Sequence, residues 1–387
     1  MNWNNLELPE PYYSDESCYL IHGDCRKQSL SEVSAVVTDP PYELGFMGKA
    51  WDSRGVSFLP ETWRIIRESC KPGAPLLSFG GTRTFHRIAV AIEDAGWEIR
   101  DTLMWVYGSG FPKSLDISKA IDKAAGEYVK GEVLPSSRTT GASGTGIATT
   151  FREKTATNPQ TLEAKLWDGW GTGLKPSFEP IILAMNPLDG TFANNALKHG
   201  VAGLNIDECR VEGKYKWRAS DSKVEGSIFK DGSFGDKPHP AGRFPSNLIH
   251  NGSDEVLALF PQTKSGNWRG YKPKSPRGFA GQKIGQPIFW NGDSGSAARF
   301  FYCAKASRSE RGEGCVHPTV KPLALMTYLC KLVKMPEYNL ILDPFCGSGT
   351  TLLACRKLGI PCIGIDSDEK SCEIAAKRLS QSVMRLE

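Results

Sequence analysis

A chain of 387 residues, 40% hydrophobic and 23% charged, can bury a core of its own, which excludes a fibrous or wholly disordered protein. The length fits about two to three domain equivalents, or one α/β domain of roughly 200 to 250 residues with large additions. A net charge of +4 is ordinary for a soluble protein and selects no partner, whereas 40 glycines and 25 prolines point to long loops. No run of 18 apolar residues occurs, and the opening MNWNNLELPEPYYSDES has neither the basic nor the apolar stretch of a signal peptide. The expectation is a cytoplasmic chain without a membrane partner. Eleven cysteines with no C-x-x-C pair read as buried thiols rather than as a disulfide framework or a metal site.

Residues 31–38, SEVSAVVT, form an apolar approach to a strand end, and Pro40 and Pro41 in the DPPY that follows forbid its continuation within a sheet. An amphipathic stretch around Trp63 to Cys70 predicts a helix, Ala74 to Phe79 a strand, Thr84 to Ala95 a helix, and Glu98 to Val106 another strand. Alternating elements of these lengths predict an α/β fold with a doubly wound, mostly parallel sheet and helices on both faces.

From Gly108 to Gly314 the chain is broken by Gly, Pro, Ser and Asn, and GASGTG at Gly141 to Gly146 lies in an expected flexible loop near 135–160. Within this segment PSFEPIILAMN, Pro176 to Asn186, carries the apolar run of a buried strand. The expected division is a catalytic domain made of 1–189 and 299–387, with an inserted region at 190–298. Beyond the insertion, Pro322 stands near the opening of a helix that runs toward Val333. NLILDPFCGSGTTLLACRKLG at Asn339 to Gly359 reads as strand, glycine turn and helix, with Thr351, Leu352 and Cys355 facing inward. PCIGID at Pro361 to Asp366 is the next strand, and Asp368 to Gln381 an amphipathic helix.

Two constellations carry chemistry. Gly347 and Gly349 lie where a strand enters a helix and allow the backbone to approach a ligand closely. Asp366 ends the following strand, where a carboxylate can accept both hydroxyl hydrogens of a ribose. The turn lacks G-x-G-x-x-G spacing, and no G-K-[ST] follows, so neither a dinucleotide nor a P-loop phosphate site is supported. A positively charged sulfonium cofactor has no pyrophosphate to hold and suits a short glycine turn with nearby carboxylates, which favours S-adenosylmethionine over NAD.

The second constellation is Asp39-Pro40-Pro41-Tyr42. The Asp39 carboxylate and the Pro40 carbonyl are acceptors for the two hydrogens of an exocyclic amino group, and Tyr42 can stack on the same base. Such contacts would aim the nitrogen lone pair at a methyl group. A rigid turn with Asp39 as a cap is the plain alternative for these residues taken alone.

With both constellations in hand the sequence resembles the amino-group DNA methyltransferases, which methylate adenine N6 or cytosine N4, in the beta order with DPPY ahead of the F-x-G-x-G-T motif. Asp39, Pro40, Pro41 and Tyr42 match the catalytic motif; Phe345, Gly347, Gly349 and Thr350 match the cofactor motif, with Asp343 at the preceding strand end. His317, Pro318, Thr319, Lys321 and Pro322 are similar to the segment that contributes to the cofactor pocket, Gly23 and Asp24 to the acidic turn near the cofactor adenine, and Asp366 to the ribose-binding acid. The resemblance covers about 17–110, 174–187 and 314–380 and implies a Rossmann-like methyltransferase fold with an inserted target-recognition region. It further implies S-adenosylmethionine as methyl donor and double-stranded DNA as partner, and it allows for a homodimer and for a cognate restriction endonuclease acting on the same site.

Between Glu255 and Asp293 no acidic residue occurs, while Lys264, Arg269, Lys272, Lys274, Arg277 and Lys283 interleave with Trp268, Tyr271 and Phe279. Beside a base-modifying site this basic aromatic segment is the expected DNA contact. Arg210, Arg218, Arg243 and Asn247 could read bases, bind phosphate or remain solvated. A paired amino nitrogen is recessed in a duplex, so the base must be extruded, at an unstacking cost of a few kcal/mol, with Tyr42 as pocket wall and Phe46 and Trp51 as further candidates. DPPY, by the family resemblance, leans to adenine N6, with cytosine N4 and a catalytically inactive DNA-binding protein as alternatives. Cytosine C5 chemistry is disfavoured because it requires a cysteine nucleophile in a suitable catalytic motif, and Cys346 reads as packing within the turn.

Overall fold

Each short apolar run followed by an amphipathic stretch becomes a strand and a covering helix in the computed structural model. The structure describes residues 3, 6, 8–44, 55–108, 110, 114–129, 158–212, 242–264, 268–271, 287–290, 294–305 and 321–383. In chain order these form β1 (Tyr13–Ser14), β2 (Cys18–His22), β3 (Ala35–Thr38), α1 (Pro60–Glu68), β4 (Pro75–Phe79), α2 (Phe85–Asp94), β5 (Glu98–Val106), α3 (Ile117–Ala125), α4 (Leu162–Leu166), β6 (Phe178–Met185), α5 (Phe192–His199) and β7 (Leu248–His250). Then come α6 (Asp254–Leu257), β8 (Gln262–Lys264), β9 (Trp268–Tyr271), β10 (Pro287–Trp290), β11 (Ser294–Ser296), β12 (Tyr302–Cys303), α7 (Leu323–Leu332), β13 (Ile341–Asp343), α8 (Thr350–Lys357), β14 (Cys362–Asp366) and α9 (Glu369–Val383).

Ten strands join one sheet in the order β1-β2-β14-β13-β3-β4-β6-β5-β7-β12. The run from β2 to β4 is parallel throughout, and β6 is antiparallel to both of its neighbours, β4 and β5. The inner strands carry apolar residues on both faces because each face is covered. On one face α7, α8 and α9 pack through Leu325, Leu329, Leu352, Cys355 and Leu379; on the other α1 and α2 pack through Trp63, Ile66, Ile88 and Ile92. Proline at the first position of α1 costs little, since its missing N–H would have had no helical partner.

This is the expected doubly wound α/β architecture, with predicted strands and helices falling within a few residues of their places. β7, which lies within 190–298, pairs in parallel with β5 of the main sheet. A short apolar run of three residues, Leu248 to His250, carries too little periodicity to be read as a strand without its neighbour. The GASGTG loop lies outside the described residues. No helix among the described residues is long and apolar enough to cross a membrane.

Candidate functional site

The site begins with two neighbouring parallel strands. Ile341 pairs with Ala35 and Leu342 with Val36, so β13 and β3 run side by side and release their loops at the same edge of the sheet. One loop is DPPY and the other carries the glycine turn. They are tied together at the root: Thr38 Oγ1 donates to Asp343 Oδ1 at 2.7 Å, across 305 residues of chain. Asp343 also accepts from Thr351 Oγ1 at 2.5 Å and from the Phe345 amide at 3.2 Å. Burial pushes its carboxyl pKa up to about 7, against the opposing pull of these hydrogen bonds.

Asp343, expected among the cofactor-binding residues, is 3% exposed, and its oxygens hold the first turn of α8 to the end of β3. Phe345 directs its ring against Trp63, at 6.3 Å between centroids. Cys346 is buried, and burial holds its thiol well above the ordinary value, as fits a packing residue rather than a nucleophile.

Gly347 and Gly349 adopt left-handed φ values of 49° and 76°, conformations that disfavour a side chain. A side chain at Gly349 would also meet Ala375 of α9 at 2.9 Å. Asp366, at the end of β14, accepts from the Gly347 amide with Oδ2 at 2.8 Å and from the Asp368 amide with Oδ1 at 2.9 Å. Gly23 donates its amide to the Asp366 carbonyl at 2.8 Å, which brings the acidic turn of Asp24 alongside. Asp24 pairs with Arg26 at 2.6 Å, and this hydrogen bond pulls its carboxyl below the ordinary range. From below, Arg378 of α9 donates to the Ser348 carbonyl at 2.5 Å and to Thr350 Oγ1 at 3.1 Å, a brace that the sequence reading missed.

Across the loop, Asp39 and Tyr42 lie beside Glu179, the acidic residue near the head of β6. Because β6 is antiparallel, its start sits at the edge where β3 and β4 end, with Ile181 opposite Phe79. Tyr42 Oη donates to Asp39 Oδ1 at 2.9 Å and lies 3.2 Å from Glu179 Oε2. Lys321 Nζ stands 2.6 Å from Asp39 Oδ2 and 3.3 Å from Glu179 Oε2. Burial works against charge on Lys321, but the Asp39 and Glu179 carboxylates prevail and hold its pKa above the usual lysine value. Burial and the same two carboxylates keep Tyr42 protonated, well above the usual phenol range. Ser57 Oγ donates to the Pro41 carbonyl at 2.7 Å and Thr84 Oγ1 to the Tyr42 carbonyl at 2.8 Å, fixing the turn. Among the described residues the Pro40 carbonyl accepts no hydrogen bond.

Lys321, expected in the cofactor pocket, directs its ammonium to Asp39 of DPPY and to Glu179. Glu179 was missed, although a carboxylate opening an otherwise apolar strand signals a buried partner. His317, Thr319, Phe46, Trp51, Lys272, Lys274, Arg277, Lys283 and Arg218 lie outside the described residues. Lys264 is exposed on β8, and Arg269 falls on β9. Arg243, one of the open groove candidates, is buried and donates to the Glu212 and Arg299 carbonyls, so it serves the fold. Arg210 pairs with Asp207, and Asn247 donates to Asp101.

The fold and this edge define a Rossmann-like methyltransferase architecture. The chain belongs to the N6/N4 methyltransferase family of DNA methylases, whose family profile matches residues 33–377. It is 22% identical to the type II methyltransferase M.HindIII of Haemophilus influenzae over 326 residues, 84% of this chain and 67% of that one. It is 43% identical to the type II methyltransferase M2.LlaDCHI of Lactococcus lactis subsp. cremoris over 74 residues, 19% of this chain and 27% of that relative. Among solved structures it is similar to PvuII DNA methyltransferase (cytosine-N4-specific), with a TM-score of 0.45 and 12% identity over 95% of this chain and 88% of that one. A second is the M1.HpyAVI–SAM complex, with a TM-score of 0.38 and 16% identity over 93% and 99% of the two chains.

Proposed function

We propose that this protein is a site-specific DNA methyltransferase that transfers a methyl group from S-adenosylmethionine to the exocyclic N6 of adenine in duplex DNA, by direct in-line transfer after base flipping. The observation that carries the reading is the juxtaposition of β3 and β13, which puts the amino-acceptor loop and the glycine turn at one edge, joined through Thr38 and Asp343.

The turn fits the donor. Two carboxylates lie by it, Asp366 bound to the Gly347 amide and Asp24 in the adjoining turn, and the Arg378 guanidinium is engaged with Ser348 and Thr350. Gly347 leaves open space where a side chain would stand. S-adenosylmethionine, when bound, supplies an electrophilic methyl on a sulfonium that leaves as a neutral thioether. On the acceptor side the Asp39 carboxylate and Pro40 carbonyl take the two amino hydrogens, and the Tyr42 ring stacks on the extruded base. Holding both amino hydrogens turns the nitrogen lone pair toward the donor side, which is where orientation lowers the barrier. The Asp of DPPY favours adenine N6 through the family resemblance.

The test is nucleoside analysis of unmethylated duplex DNA after reaction with the purified protein and S-adenosylmethionine. N6-methyladenine is expected. N4-methylcytosine without N6-methyladenine would overturn the choice of base, and no methylated nucleoside would leave the DNA-binding alternative standing.

A further inference from the structure

Two donors are shared between two carboxylates at the acceptor loop. Tyr42 Oη has one hydrogen and lies within reach of both Asp39 Oδ1 and Glu179 Oε2, and Lys321 Nζ stands between Asp39 Oδ2 and Glu179 Oε2. In both cases the shorter distance is to Asp39: 2.9 Å against 3.2 Å for the hydroxyl, and 2.6 Å against 3.3 Å for the ammonium. Each Asp39 oxygen thus already faces a donor of the chain itself. An amino group that is to donate to Asp39 competes with these donors for the carboxylate's acceptor positions.

Lys321 is 10% exposed and lies over the Tyr42 and Phe79 rings, 5.3 and 4.9 Å from their centroids. An ammonium so placed cannot be left without a counter-charge, because an unpaired buried charge is strongly destabilising. Glu179, 21% exposed, stands 3.3 Å from the ammonium on a strand anchored between β4 and β5. Its position offers the displaced ammonium a second carboxylate within a small rotation of the side chain.

We propose that Lys321 is a placeholder for the target amino group, occupying Asp39 while no base is present, and that Glu179 is the positioning residue that receives the Lys321 ammonium when the base arrives. The proposal rests on the amino-group methyl transfer proposed above and assigns that site a residue beyond DPPY and the glycine turn. The exchange keeps charge balanced: Asp39 gives up a hydrogen bond from the ammonium and gains one from the base, while Lys321 keeps a carboxylate partner throughout.

The consequence is a specific dependence between two residues. With Glu179→Gln the ammonium has no second carboxylate and stays on Asp39, so the base competes against it, and kcat/KM for DNA should fall by about 10- to 100-fold. Affinity for S-adenosylmethionine should be unchanged. Adding Lys321→Met removes the competitor, and the double variant should recover at least about tenfold over Glu179→Gln alone, a coupling that independent losses would not produce. The assay is transfer of labelled methyl from S-adenosylmethionine to unmethylated DNA of mixed sequence, with cofactor affinity by calorimetry and folding by thermal melting. If Glu179→Gln does not fold, Glu179→Asp, which retracts the carboxylate by one methylene, carries the same suppression test.

A double variant no better than the single one, a Glu179 variant with wild-type kcat/KM, or a loss explained by weaker cofactor binding would each overturn the proposal. Absence of methyl transfer by the wild-type protein would instead remove the methyltransferase reading on which it stands.

Discussion

Asp343 offers a quantitative check on the joint that holds the two functional loops together. It is 3% exposed and is held by Thr38, Thr351 and the Phe345 amide, yet burial dominates and pushes its pKa up to about 7 from an ordinary 3.8. A carboxyl whose folded value lies above its unfolded value keeps a proton that the unfolded chain has released. Its stabilisation is complete below the unfolded value and is lost as pH rises through the folded one. Between pH 5 and pH 8 the loss from this single group amounts to about 2–3 kcal/mol. Asp343→Asn keeps the shape and removes the titration. Urea unfolding of both proteins at intervals across this range, with the variant's free energy subtracted from that of the wild type, cancels every other titrating group. The difference should fall by about 2–3 kcal/mol toward pH 8. A difference that stays flat or rises would refute a buried Asp343 at the joint.

Three further outcomes test separate parts of the site. Asp39→Ala should abolish methyl transfer while leaving S-adenosylmethionine affinity nearly intact, and near-full activity in the labelled-methyl assay would remove Asp39 from the amino contact. Asp366→Ala deletes the acceptor for the Gly347 amide as well as the proposed ribose contact, so calorimetry should show cofactor affinity lowered by about tenfold or more, and unchanged affinity would contradict that role. Replacing Lys272 and Lys274 by Gln should weaken DNA binding and flatten its dependence on salt concentration, by a slope change of about 1 to 2. Binding with the same salt slope would make the basic segment a bystander.

The amino-acid sequence by itself determined the short-range features. Proline pairs can only end a strand, so Pro40 and Pro41 closed β3 at Thr38. Period and breakers located α1, β4, α2 and β5, and the glycines of the turn are where the backbone adopts left-handed φ. The family resemblance also brought Asp39 and Gly347 together although some 300 residues separate them. What the tertiary structure decided were matters of partnership. Asp343 reads in sequence as one more acid near a ligand turn, and only its neighbours Thr38 and Thr351 make it a buried tie. Lys321 follows a cofactor-segment motif, but its ammonium turns to Asp39 and Glu179 because the antiparallel β6 brings a second carboxylate to the edge where the parallel strands end. The three residues of β7 are too few to show a period, and they become a strand because β5 and β12 pair with them on either side. Local dihedral preferences are written residue by residue, whereas the partner of a buried charge depends on which distant segments the sheet order makes neighbours.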